Sequence, residues 1–143
     1  LNWNFLVAPK FTETIIGFFP SSFSASVCQE IESFPLLYKF SKTLLKKFCE
    51  SLGIKYIHIP EVGINSSQRQ TLEKQEDYDI LFESYKNTTL RETSTQQQQI
   101  INLLNEYNRI ALTCFESNIC QCHRLPLAES LKSIETDLVV EHI

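Results

Sequence analysis

The fold class turns on the run Ile110-Ala-Leu-Thr-Cys-Phe-Glu-Ser-Asn-Ile-Cys-Gln-Cys-His-Arg124 and the Leu125-Pro126 that follows it. Ile110 to Phe115 is short and apolar, as a buried parallel strand would be. A polar loop comes next. Leu125-Pro126 then signals a helix start, with proline at or near the first helical position. Cys114, Glu116, Cys122, His123 and Arg124 fall within eleven residues of this strand-loop-helix junction. Open α/β sheets build their sites at such junctions.

Working outward, helical stripes flank the run on both sides. Ile100, Ile101, Leu103, Leu104 and Tyr107 precede it, and Leu127, Ala128, Leu131 and Ile134 follow it. Leu44, Leu45, Phe48, Cys49 and Leu52 form the cleanest apolar stripe, capped by Ser41 and closed by Gly53. Ile54 to Ile59 is β-rich and ends at the Pro60-Glu-Val-Gly63 loop. Residues 65 to 78 read as a polar surface excursion. Tyr78, Leu81, Phe82, Tyr85 and Leu90 suggest a further amphipathic helix. The polar tract Thr93 to Gln99 reads as a solvated helix start or loop. Phe5 to Ala8 and Thr14 to Phe19 have strand character, a helix is expected from Phe23 to about Ser33 ahead of Pro35, and Leu138 to Ile143 is a last strand. Helices alternating with short apolar strands predict one α/β domain over residues 1–143. Its three-layer, mostly parallel sheet would carry helices on both faces.

Composition narrows the function. The chain has 43% hydrophobic and 21% charged residues, ordinary for a globular domain. A net charge of −4 argues against broad nucleic-acid binding, which needs a basic face. No apolar run approaches the roughly 20 residues that span a bilayer. The five cysteines are an odd number without framework spacing, which favours a reducing, cytoplasmic setting. Methionine is absent where average usage predicts about three. Contiguous motifs therefore carry more weight here than long-range spacings.

The cluster itself suggests anion chemistry. Free N–H groups and the positive dipole end of the last helix would favour an anion, and Arg124 could add a bidentate grip. Cys114 and Cys122 are the candidate nucleophiles, Glu116, Glu61 and His123 the acid/base candidates. Tyr56 and His58 share one face of their strand and, with Arg69, could line the ligand site. Each residue has a plainer reading: Cys114 as a small core residue, Arg124 as a half-buried brace for Glu116, His123 as a backbone hydrogen bonder, Glu61 as an exposed loop residue. Cys120-Gln-Cys122-His123 lacks zinc-site spacing and His58 and His142 are isolated, so neither metal nor cofactor is expected.

Several of these segments resemble the family catalogued as domain of unknown function 488. Cys114-Phe-Glu116 with Cys122-His123-Arg124 is similar to its Cys-x-Glu…Cys-His-Arg signature. Phe40-Ser41-Lys42 followed by Leu45 resembles its Phe-Ser-x-x-x-Leu helix entry. Gly53 to Gly63 is similar to its Gly-Ile-x-Tyr-x-His-x-Pro-x-Leu-Gly segment. Phe82 with Tyr85, and Val140 to Ile143, resemble its Phe-x-x-Tyr helix and closing Val-x-His-Ile strand. The resemblance covers residues 34 to 143. Residues 1 to 33 depart: the family's Asp-Val-Arg strand has no counterpart arginine here. The resemblance implies a compact α/β domain and no particular activity.

Three functions fit these readings. The first is an enzyme acting on a phosphate-bearing or otherwise anionic ligand, such as a nucleotide or nucleic-acid end. The second is a non-catalytic ligand- or partner-binding domain using the same pocket. The third is a thiol-redox sensor built on Cys120 and Cys122.

Overall fold

Caps and turn residues set the element boundaries in the computed structural model, which describes residues 15–18, 42–113 and 118–141. The expected strand at Phe5 to Ala8, the helix from Phe23 to Ser33, the Ser41 cap, Cys114, Glu116 and His142 lie outside those residues. Helix α1 (Lys42–Ser51) ends where Gly53 takes φ +72°. The Gly53 N–H donates to the Glu50 carbonyl at 3.0 Å and the Ile54 N–H to that of Cys49 at 2.8 Å. This doubly bonded helix end needs a left-handed residue, which glycine supplies at least cost. Strand β2 (Lys55–His58) follows at once and runs into a 3-10 turn, Pro60–Val62.

A second 3-10 turn, Ser66–Arg69, occupies the polar excursion, its entry fixed by Asn65 Oδ1 accepting from the Ser67 N–H at 3.1 Å. Helices α2 (Gln75–Asn87), α3 (Thr89–Glu92) and α4 (Ser94–Tyr107) come next. Asn108, at φ 61°, ends α4 by donating its N–H to the Leu104 carbonyl. Strand β3 (Ile110–Thr113), a 3-10 turn (Ile119–Gln121) and helix α5 (Arg124–Ile134) complete the order.

The three-layer, mostly parallel sheet is not what forms. The described chain is predominantly helical, and its strands are three four-residue segments in the order β2-β1-β3, with β1 being Ile15–Phe18. β1 pairs antiparallel with both neighbours. β2 and β3 do run in the same direction, but β1 lies between them. Apolar periodicity does not encode strand direction, and an early strand inserted between two later ones leaves no local mark. The expected last strand also falls short: residues 138–140 form none, and Glu141 makes an isolated bridge.

The register sorts the sheet into two unlike faces. Ile57, Ile110 and Leu112 share one face through Ile16 and Phe18, and they pack with α2, α4 and α5 residues such as Phe82, Ile100, Leu104, Leu127 and Leu131. Fully burying each such side chain stabilises the fold by about 1.5–3 kcal/mol. Tyr56, His58, Ala111 and Thr113 share the other face, since His58 and Thr113 both pair with Ile15, and Tyr56 and Ala111 with Gly17. Ile134 was expected in the core and is exposed. The polar tract at 93–99 is mostly helix, and two of its residues, Thr93 and Gln97, are buried.

Candidate functional site

Local chain geometry buries the three residues before and at the start of α5. Cys122, His123 and Arg124 are between 0% and 1% exposed. A buried guanidinium is costly unless its N–H groups are met. Here Arg124 Nε donates to Cys122 Sγ at 3.0 Å, and the Arg124 backbone N–H reaches the same sulfur at 3.4 Å. The sulfur therefore sits under two N–H donors of the same residue, one of them charged.

His123 is held from two sides. Arg69 Nη2 lies 2.9 Å from His123 Nδ1. A guanidinium can only donate, so Nδ1 is the acceptor and the ring hydrogen sits on Nε2. The Tyr85 ring meets the imidazole edge-on, with centroids 6.1 Å apart, while its hydroxyl donates to the Val62 carbonyl at 2.6 Å. Tyr85 thus ties the turn after β2 to the start of α5. Arg69, from the polar excursion, and Tyr85, from the helix after it, both meet His123.

Other expected site residues divide. Glu61 follows the carboxyl end of β2, at the same sheet edge as the end of β3, but its side chain is exposed and joins neither arginine among the described residues. The Tyr56 hydroxyl, His58 Nε2 and Thr113 Oγ1 are shielded from solvent on the polar sheet face. The Thr113 hydroxyl has no hydrogen-bond partner among the described residues. Cys120 is exposed while Cys122 is buried, so the two thiols of the Cys-x-Cys pair occupy different environments. Cys49 is half-buried, and burial pushes its thiol up to about 11. Among the described residues no group of three His, Cys, Asp or Glu side chains could hold a metal. No described helix is long and apolar enough to cross a membrane.

The helix start offers an anion less than its position suggested. The Arg124 N–H points to sulfur, the Leu125 N–H donates to the Cys122 carbonyl at 3.2 Å, and Pro126 has none. An anion here would be held by side chains rather than by helix amides. Arg69 and Arg124 both lie against the buried turn, whereas sequence reading misses Gln97, whose 2% exposure and two cross-links lie inside a tract that looks solvated. Its signal was the spacing Thr93, Gln97, Ile100, Ile101, Leu104, which continues the apolar stripe of α4 backward.

Comparison with known families adds one match. A family model described as Domain of unknown function DUF488 matches residues 24–131. The chain belongs to this family. The DUF488 span includes the whole segment from Cys114 to Arg124 and begins after β1. No curated protein and no solved structure matched the chain.

Proposed function

We infer that this DUF488 domain binds a phosphate-bearing or otherwise anionic ligand at the sheet edge beside Arg69 and His123, and acts on it as an enzyme. The observation that carries the reading is the convergence of two guanidinium groups on one buried turn, Arg69 on His123 and Arg124 on Cys122. Such a concentration of cationic donors in a chain of net charge −4 suits an anion of small size, a nucleotide or a nucleic-acid end rather than a long duplex. Arg69 is the half-exposed member and is the contact a ligand would meet first. Tyr56 and His58 would complete the binding wall. Glu61, Glu116 and His123 would be the acid/base candidates, and Cys114 or Cys122 the nucleophile. The solvent-shielded Thr113 hydroxyl supports a polar ligand or water on that side. A cytoplasmic setting goes with this reading, on the odd number of cysteines.

Phosphate titration followed by amide NMR tests it. Amides at 66–70 and 118–125 should move at millimolar phosphate. Arg69→Ala should abolish the shifts, and Arg69→Lys should weaken them, since lysine lacks the bidentate fork. Unmoved amides in the native chain would refute the reading. Thiol labelling against pH separates the rivals: a reactive thiol other than Cys120 at neutral pH favours a nucleophile, and inert thiols favour a purely binding domain.

A further inference from the structure

Beside the buried turn, a groove runs between α2–α3 and α5. It consists of two adjoining cavities of about 480 and 260 Å³ that share Lys86, Pro126 and Glu129. Phe82, Leu125 and Pro126 line the larger one, with Cys120 among its residues and three carboxylates, Asp79, Glu83 and Glu129, against the single cation Lys86. That lysine is already shared, 3.5 Å from Glu83 and 3.4 Å from Glu129, so it ties α2 to α5 across the groove. At the far end Gln75 Nε2 donates to Asp79 at 3.0 Å and to the Cys120 carbonyl at 2.9 Å. The smaller cavity adds Leu90 and the cation Arg91. The groove thus has apolar patches interrupted by charge: Asp79 and Glu83 in the larger cavity, Lys86 and Glu129 where the two meet, and Arg91 in the smaller.

We propose that this groove receives an extended peptide segment of a partner protein, its lysine or arginine side chain lying among Asp79, Glu83 and Glu129. Charge complementarity selects the occupant. The larger cavity keeps an excess of two negative charges after Lys86 is counted, three carboxylates against one ammonium. Phe82, Leu125 and Pro126 offer the aliphatic stem of such a side chain a surface on which to lie. From Asp79 to Lys86 the helix rises roughly 10 Å at 1.5 Å per residue, the length of about three residues of extended chain. The chain direction is set by the ends: basic residue toward Gln75, acidic residue or carboxylate toward Arg91. Lys86 is the built-in competitor. Its pairs are half-exposed and therefore weak, so an incoming cation can displace it, and its removal should help binding.

The test is amide NMR titration of the full chain with a capped pentapeptide, Ala-Lys-Leu-Lys-Ala, against its glutamate counterpart and spermidine. The basic peptide should move amides at Asp79, Glu83, Cys120, Leu125 and Glu129. Lys86→Gln should tighten binding about two- to fivefold by removing the competing ion pairs. Asp79→Asn combined with Glu129→Gln should abolish it, with the spectrum otherwise unchanged. Three results would each overturn the proposal: no shifts at millimolar basic peptide in Lys86→Gln, equal shifts with the glutamate peptide, or spermidine binding as tightly as the peptide, which would make this an amine site.

Discussion

A guanidinium only 1% exposed behaves differently from the half-buried brace expected at a loop–helix junction. Removing a surface partner costs about 0–1 kcal/mol. Removing Arg124 would instead empty a buried volume and strip the charged donor from Cys122 Sγ. Truncating a large buried side chain to alanine costs about 2–5 kcal/mol. Arg124→Ala should therefore lower the denaturation midpoint by that amount, and Arg124→Lys should recover little, because lysine has no Nε–H at that place on its stem. Urea unfolding of both variants decides it. A midpoint within the equivalent of 1 kcal/mol of the native one would show that the buried placement contributes nothing. Burial is the property that sequence concealed at this residue. The motif identified Arg124 and its neighbours, but nothing in Cys-His-Arg says that a turn will fold the triplet inward.

Helix starts carry the pH dependence. Asp77 accepts from the Lys74 and Glu73 backbone N–H groups at 3.0 and 3.1 Å, and these bonds hold its carboxyl below the usual carboxylate range. A carboxyl lowered on folding contributes stability above its unfolded value, and that contribution is lost as pH falls through the folded one. Acidification below about pH 4 should therefore loosen the start of α2 before the rest of the helix. Protection from hydrogen exchange at Glu73 and Lys74, relative to the intrinsic rate, should fall there, and Asp77→Asn should show the lower protection already at neutral pH. Identical exchange in the variant would mean that the cap is not held in solution. A second contact joins elements rather than ending one. Gln97 donates to the Leu90 carbonyl and accepts from the Ser130 hydroxyl, both at 2.6 Å, so α4 is tied to α3 and α5 through one buried amide. Gln97→Ala should cost about 1–3 kcal/mol, as a buried acceptor loses its donor. A double-mutant cycle with Ser130→Ala should return a coupling of about 0.5–1.5 kcal/mol. Additive losses would mean the two side chains act independently.

Most of the helices could be read from the chain, because 3.6-residue stripes and caps such as Gly53 act locally. The sheet could not. Its strands are four residues each, too short to show a period, and their order depends on a pairing between residues 15–18 and segments some 40 to 95 positions away. The site was readable to the extent that it is contiguous. Cys122, His123 and Arg124 stand together in the chain, while Arg69's place beside His123, Tyr85's edge-on contact and the buried Gln97 depend on how distant segments pack. β1 also sets the strongest test of the whole architecture, because the family match begins at residue 24, after it. If β1 lies between β2 and β3, a chain of residues 24–143 lacks the centre of its sheet. Both β2 and β3 would then expose unpaired edges, which costs folding free energy and invites association. That truncation should lose cooperative unfolding or aggregate, whereas the full chain unfolds in one transition. A gentler variant, Ile16→Pro, keeps the length but removes one ladder N–H and leaves its partner carbonyl unmet, at about 1–3 kcal/mol. Thermal unfolding and amide dispersion of the three proteins are the measurements. A truncated chain with the native midpoint, together with an Ile16→Pro variant no less stable than the parent, would remove β1 from the sheet and leave residues 24–143 as a sufficient folding unit.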